Sequence, residues 1–398
     1  MQNMVDEFIN SCYELWETCE ERFPEFKKRY WVWQKWIKQK KTNKFITKVF
    51  AEMDNIDDIN NINYHQEKKF IQLLRQYSVD TLEYTYLENQ IIFSRLFINV
   101  SKQFLKKTNN RYSDIGKEDI YQALRNVLIM ASIQYLTETE VKLTPSMFAY
   151  SMLYPCSDNY LDDKNRTIEE KKEFNKKFTG ILSGENVRIK NGYEKEIISL
   201  VNMIEGEYAR KKYPDIYNSL LAIHNAQEKS LLQQENNLKN EKILKLSIRK
   251  GGTSVLAGAL LVNSSISREK LYFLFVFGFM LQLLDDLQDI QIDKKCGHDT
   301  IFSKSNSTEY YCKMTNKLFN FMTEIKILLS SFSGNRASDF AGILTKSCKQ
   351  LIFGAIVNNK DIYSNTYLDR LEKHSLFTFS YQKQLEKRVK KRFKNMTV

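Results

Sequence analysis

Seven aspartates in two short stretches hold most of the chemistry in this chain. The first stretch reads Ser157-Asp158-Asn159-Tyr160-Leu161-Asp162-Asp163. On a helix, Asp158 and Asp162 stand one turn apart on one face, with Asp163 beside them. Carboxylates this close repel one another, and a divalent cation reverses that sign: Mg²⁺ takes oxygen ligands and retains several waters. A helix N-terminus, where acids meet the positive end of the macrodipole, accommodates the same residues without any metal. The second stretch runs from Gly278 to Asp293 as GFMLQLLDDLQDIQID. Asp285, Asp289 and Asp293 are spaced four and four and form one acidic stripe, with Asp286 next to it. They follow Leu271–Leu284, the most apolar stretch of the chain, and Leu281 and Gln282 lie one turn below the carboxylates. A helix that is apolar at depth and acidic at its mouth suits a ligand with a greasy tail and a charged head. A solvated face would interleave lysines among the acids, and here the first is Lys294.

Basic and aromatic residues accompany both clusters. Ser247-Ile248-Arg249-Lys250-Gly251-Gly252-Thr253-Ser254 precedes the second one, with Lys250 lying 35 residues before Asp285. Arg249 and Lys250 suit phosphate oxygens, the guanidinium by a bidentate grip. Two basic residues closing a helix before glycines are the plain alternative. The Gly-Gly pair is expected to kink its helix and free backbone groups. Arg166, four residues after Asp162, either closes on a phosphate or pairs with Asp162. Tyr154, one turn before Asp158, is the aromatic neighbour of the first cluster. Asp54, Asp57 and Asp58 imitate the first cluster, but in an Asn-rich segment that reads as a loop. His224 reads as a satisfied core histidine.

The pattern Gly278-x-x-x-Gln282-x-x-Asp285-Asp286-x-x-Asp289 resembles the second aspartate-rich motif of trans-prenyl diphosphate synthases, with Leu281 where those enzymes usually have Phe. Read from Asp285 through Leu287 and Asp289 to Asp293, it is similar to the second metal motif of class I terpene synthases. That motif has Ser or Thr at the position of Asp289 and Glu at that of Asp293. The first cluster is similar to the first motif of squalene and phytoene synthases, with Leu161 where squalene synthases carry Glu. Lys250 stands where prenyl synthases have a Lys-Thr element, though here two glycines intervene before Thr253. The resemblance covers roughly residues 145 to 305, and the 127 residues from Asp158 to Asp285 resemble the spacing across the isoprenoid synthase bundle.

The resemblance implies an all-α isoprenoid synthase (class I terpene synthase) helical bundle with extra N-terminal helices. Residues 1–110 would be a helical extension packed on a catalytic domain of residues 111–398. It implies Mg²⁺, three ions with Mn²⁺ as a substitute, held by Asp158, Asp162, Asp163, Asp285, Asp286, Asp289 and Asp293. A prenyl diphosphate substrate would meet Arg166, Arg249, Lys250, Gln282 and Tyr154, and catalysis would depend on Asp158 and Asp285. Chain-elongating members carry a Gly-Lys-Arg-type element and an Arg pair after the first motif. Neither is present; only Lys164 and Arg166 follow the first cluster. That favours a single diphosphate substrate, hence a terpene synthase over a prenyltransferase of the chain-elongating or head-to-head kind.

The elements that must position these residues read as helices. The 398 residues include only 13 Gly and 4 Pro, well under the usual shares of about 7% and 5%. Sandwiches, barrels and Rossmann units need turn residues at every reversal and are disfavoured. Helical periodicity is visible at Phe8, Cys12, Leu15 and Cys19, at Ile120, Leu124, Val127 and Ala131, and at Ile197, Leu200, Val201 and Ile204. Asp54–Asn63 reads as a polar loop, and Pro145 and Pro155 bracket the segment leading to Asp158. Six cysteines without a C-x-x-C and four histidines without an H-E-x-x-H argue against zinc. Scattered cysteines fit a reducing cytoplasm, and no run reaches the roughly 20 apolar residues that span a bilayer.

A net charge of +12 points to an anionic partner. The tail, with Leu385, Val389 and Phe393 spaced by four amid Lys and Arg, predicts weak, salt-sensitive contact of a peripheral kind with anionic membrane. Phe26–Trp36 interleaves bases with aromatics, as a membrane or nucleic-acid surface does. A non-enzymatic RNA-binding protein accounts for the charge but not for the acid-tipped apolar helix, so no nucleic acid is expected. The oligomeric state is open, a homodimer included.

Overall fold

Helix formers and scarce breakers give a chain whose every described regular element is a helix. The computed structural model describes all residues except 55–62, 113–114, 162, 164, 235–237, 333 and 396–398, together with the side chains of 393–395. The α-helices are α1 (Gln2–Thr18), α2 (Val32–Asp54), α3 (Tyr64–Asp80), α4 (Tyr86–Ile92), α5 (Arg95–Arg111) and α6 (Lys117–Leu136). Then come α7 (Pro145–Leu161), α8 (Ile168–Ser183), α9 (Gly192–Glu207), α10 (Pro214–Ser230), α11 (Asn240–Val262) and α12 (Arg268–Gln288). The last are α13 (Ile290–Cys296), α14 (Thr308–Leu328), α15 (Asn335–Asn358), α16 (Asn365–Glu372) and α17 (Phe379–Asn395). Capping boxes at Asn63, Thr85 and Thr167 fix the starts of α3, α4 and α8, each pairing with a Gln or Glu three residues on.

One hydrophobic core reaches from Val5 in α1 to Phe379 in α17. The first helix belongs to it fully: Phe8 packs on Tyr272 and Phe275, and Trp16 meets Phe279 and Phe321 edge-on. A second, small apolar cluster holds Tyr30, Leu376 and Phe377. By length and composition α12 and α15 are each long and apolar enough to cross a membrane. An unbroken apolar run of that length is absent because charges bound the run in α12, while Lys346 and Lys349 divide the one in α15. Two-thirds of the apolar window of α12 is buried inside the protein.

The central crossing is between α11 and α12. A Cβ placed on Gly251 would lie 2.4 Å from the carbonyl oxygen of Gly278, and one on Gly278 would lie 2.2 Å from that of Gly251. A Cβ on Gly252 would fall 2.4 Å from the Phe275 ring. The glycine pair therefore does not break its helix, as its type suggested: α11 runs unbroken through it. What the glycines provide is absence of bulk, which lets two backbones touch. Ser247 reaches Asp286 and Gly251 meets Gly278, so the two helices run antiparallel.

Other contacts set the remaining directions. Gln134 near the end of α6 meets Met147 near the start of α7, so those two are antiparallel. Met130 and Tyr150 both approach Gly258 of α11, and the Tyr150 hydroxyl donates to the Ser254 carbonyl at 2.7 Å. Arg125, further back on α6, lies 3.9 Å from Asp285 of α12. It follows that α7 and α12 run parallel and deliver Asp158 and Asp285 to the same end of the bundle. Pro145 and Pro155 do not bracket a separate segment; α7 passes straight through Pro155. Proline there removes the N–H that would serve the Ser151 carbonyl, and the Ser151 hydroxyl in that turn is buried without a partner.

The crossing predicts a sharp contrast between glycines. Gly278→Ala should cost about 2–3 kcal/mol, since the clash is with backbone and neither helix can yield without moving the other. Gly354→Ala, in the open interior of α15 with nothing within 4 Å of its Cβ position, should be neutral or stabilising by up to about 1 kcal/mol. Urea denaturation of the two variants tests the pair.

Candidate functional site

The acidic end of α12 is a continuous stripe. Asp289 closes α12 with φ −98° and ψ 12°. Two helical hydrogen bonds nonetheless flank the break: Asp289 N–H donates to the Asp285 carbonyl at 2.9 Å and Asp293 N–H to the Asp289 carbonyl at 2.8 Å. Asp285, Asp289 and Asp293 thus keep one face although α13 restarts between them. Asp286 turns inward and is 4% exposed. It accepts hydrogen bonds from Gln282 Nε2 at 2.7 Å and Ser247 Oγ at 3.2 Å.

Burial dominates the electrostatics. It pushes the Asp286 carboxyl up to about 7, against the Gln282 hydrogen bond and the pull of Lys250. It pushes Asp293 up to about 6, helped by the charge of Asp289 and opposed by Lys250 and the Thr300 hydroxyl. Asp285 keeps contact with solvent, yet surrounding protein displaces enough water to raise its carboxyl, with Arg125 and Lys250 pulling the other way. The same Lys250 helps lower His298, whose imidazole is held down first by burial. One lysine of α11 therefore acts on three carboxylates and a histidine of the facing segment. Arg125, Ser247, His298 and Thr300 were not singled out by sequence reasoning. Ser247 stands in the same short segment as Lys250 and His298 follows the stripe by five residues, but nothing in the sequence ties Arg125 to Asp285.

Arg249 is not with them. One residue further round α11, it pairs with Asp6 of α1 at 2.6 Å. There it lines a separate groove of about 630 Å³ with Lys229, Lys239, Lys242 and Lys245. A helix turns about 100° per residue, and here that rotation carries Arg249 to Asp6 while the charge of Lys250 acts on the acidic stripe.

At the first cluster, Asp158 is half-buried at the end of α7. Tyr154, one turn below, is buried and edge-on to Tyr150 at 5.9 Å. Its hydroxyl is held well above the usual range by burial, then by Tyr150 and Asp158. Asp163 accepts the Asn165 backbone N–H at 2.9 Å and lies 3.5 Å from Arg166. Arg166 also reaches Glu170 at 3.4 Å and covers the Tyr160 ring at 4.9 Å, so it fastens the turn into α8. Asp162 lies outside the described residues, as do Asp57 and Asp58. Asp54 ends α2 and pairs with Arg392. His224 is a core residue beside Phe178, its Nε2 3.4 Å from the Asn175 carbonyl.

Among the described residues no three His, Cys, Asp or Glu side chains converge to hold a metal ion by themselves. The donor set still fits Mg²⁺ in one manner. That ion keeps several waters and is commonly held by one or two carboxylates plus substrate phosphates. Asp285, Asp289 and Asp293 offer carboxylates on one face, beside a lysine suited to phosphate oxygens.

No family model matches the chain, and no curated protein matches it. Among solved structures it overlaps a geranyltransferase from Legionella pneumophila, with 12% identity over 69% of this chain and 98% of that one, at a TM-score of 0.39. It also overlaps a decaprenyl diphosphate synthase from Rhodobacter capsulatus, with 8% identity over 71% of this chain and 98% of that one, at a TM-score of 0.38. Overlaps this slight leave the site to be judged on its own residues.

The raised carboxyls set a pH dependence. Between the ordinary aspartate value and about 7, the folded state holds a proton on Asp286 that the unfolded state has released. Stability therefore falls as pH rises through that window and stays reduced above it. Asp286→Asn keeps the shape and both hydrogen-bonding positions without the charge. In EDTA it should be more stable than the wild type at pH 8, by on the order of 1–2 kcal/mol, and nearly equal to it at pH 4. Thermal melts across that range test the difference, and equal offsets at both pH values would count against it.

Proposed function

We propose that the chain is a class I terpene synthase, which ionises a linear prenyl diphosphate, releases diphosphate and forms a terpene product. The observation that carries the reading is that the charge of Lys250 acts on Asp285, Asp286 and Asp293, at the end of the bundle to which α7 also brings Asp158. Acids alone would suit a cation and a lysine alone would suit a phosphate. Both together suit a diphosphate that arrives with its cations. The apolar length of α12 beneath them suits the hydrocarbon tail.

Bound Mg²⁺, held by the Asp285 stripe and by Asp158, Asp162 and Asp163, would neutralise the diphosphate and make it a better leaving group. The chain's own residues supply the rest. Lys250 and the exposed Arg125 place positive charge where negative charge develops on the departing group. Gln282 and Ser247 hold Asp286 inward, which fixes the orientation of the last turn of α12. Tyr154, one turn from Asp158 and backed by Tyr150, offers an aromatic face to an allylic cation, an interaction worth about 0.5–2 kcal/mol. The reaction would need a dry cavity, because water would quench the cation. Condensation of two prenyl diphosphates begins with the same ionisation, and Lys164 and Arg166 do not amount to the arginine pair expected for a second diphosphate.

Incubation with prenyl diphosphates of increasing length and Mg²⁺, with product analysis, tests the reading. A hydrocarbon or alcohol from one substrate supports it. A product that lengthens when isopentenyl diphosphate is added would move the assignment to a prenyltransferase, and no diphosphate release from any chain length would end it. Asp285→Asn should lower turnover by roughly a hundredfold or more while leaving the far-ultraviolet spectrum and melting intact. In thermal melts, Mg²⁺ and inorganic diphosphate together should raise the midpoint by more than the sum of their separate shifts, because each completes the other's coordination. Strictly additive shifts would count against a shared site.

A further inference from the structure

The first turns of α2 are inside out. The residues this helix buries are Lys35, Lys38 and Thr42. Lys35 reaches the Glu372 carbonyl, with the Glu372 carboxylate 3.9 Å away. Lys38 donates to the Thr81 carbonyl at 2.7 Å and lies 3.0 Å from Glu83. Burial lowers both ammonium groups from their ordinary values. Outward stand Val32, Trp33, Trp36 and Ile37, with Trp31 just before them. Trp31, Trp33 and Trp36 are 58%, 61% and 54% exposed and Val32 is 82% exposed.

An ordinary surface helix buries its apolar face, since each large side chain gains a few kcal/mol by leaving water. This helix spends its inward face on lysines that need carbonyl and carboxylate partners. Its outward face is thereby committed to an apolar neighbour. Spacing extends the same stripe: Trp33, Trp36 and Ile37 are followed at helical intervals by the exposed Lys40 and Lys44. Arg29 lies 5.3 Å from the Trp31 ring and Lys40 lies 3.6 Å from that of Trp36. Tryptophans at the tip with cations immediately behind them match the layering of a bilayer surface, where indoles sit at headgroup depth and lysines meet lipid phosphates. Val32 and Ile37 separate this from a nucleic-acid platform, because an aliphatic side chain has no face on which a base can stack.

The basic tail offers less apolar surface than this ridge. Leu385 and Val389 of α17 are half-buried, and α17 is fastened to α2 through Tyr381 and Arg392. The Phe393 side chain lies outside the described residues.

We propose that the Trp31–Ile37 ridge is a peripheral anchor that inserts into the interface of anionic lipid bilayers. This is independent of the chemistry at the acidic end of the bundle. Intrinsic fluorescence reads the contact directly, since Trp16, the remaining tryptophan, is buried. With vesicles of phosphatidylcholine and phosphatidylglycerol, emission should shift to the blue and be quenched by brominated acyl chains. Pure phosphatidylcholine should bind less, and high salt should weaken binding to the anionic vesicles. Trp33→Ser/Trp36→Ser should lower partitioning roughly tenfold or more in vesicle sedimentation, with an unchanged melting midpoint showing that the fold survives. Lys40→Glu, which leaves the indoles in place, should lower binding to anionic vesicles only. The proposal is overturned by any of three results: no vesicle binding by the wild type, binding undiminished in the double variant, or a ridge already occupied by a second copy of the chain. The last would show as blue emission without lipid and a dimer-to-monomer change on substitution. Single-stranded RNA that binds in place of vesicles would also overturn it.

Discussion

The contact on which the acidic site depends is a place where two backbones touch. At Gly251 and Gly278 the helices α11 and α12 approach so closely that either Cβ would collide with the other helix's carbonyl. Because the helices run antiparallel, that one contact sets the register of everything above it. Lys250 comes within electrostatic reach of Asp285, and Ser247 within hydrogen-bonding reach of Asp286. A wider crossing would let water between the lysine and the carboxylates and weaken their mutual influence. Close packing and electrostatics are therefore not separate properties here.

The second acidic cluster is out of balance in a useful sense. Burial and mutual repulsion raise Asp285, Asp286 and Asp293, while Lys250 and Arg125 only partly offset them. Asp286 is satisfied internally by Gln282 and Ser247. The outward carboxylates face Arg125, Lys250 and, at Asp293, the Thr300 hydroxyl, and they gain most from added positive charge. On the proposed reading, such an arrangement would favour binding of cation and anion together over binding of either alone.

Much of this was legible from residue order. The acid stripe following an apolar stretch, and the place of Lys250 before it, could be read because helical period turns spacing into direction. Three features could not. The Gly-Gly pair reads equally as a break or as a close crossing, and only the facing helix decides between them. Arg249 and Lys250 look equivalent in sequence, but a single residue of rotation sends one to α1 and the other to the acids. Arg125 joins Asp285 across 160 residues, beyond any local pattern. In α2 the mixture of aromatics and bases pointed to an interface, while the inversion of its faces depended on Glu83 and Glu372, both remote in the chain.

Pro155 has a kinetic consequence for the two halves of the site. It removes one rung from α7 below Asp158, so the last turn of that helix is tied to the rest by fewer backbone bonds. The α12–α13 junction is broken as well, at Asp289, but there the buried Asn359 side chain, just past α15, donates to the Leu287 carbonyl at 3.1 Å and lies 3.4 Å from that of Gln288. Local opening follows such differences, with the segment holding fewer backbone bonds exchanging its amide protons at the lower free energy. The end of α12 is thus braced from outside its own helix, and the end of α7 is the one expected to open at the lower free energy.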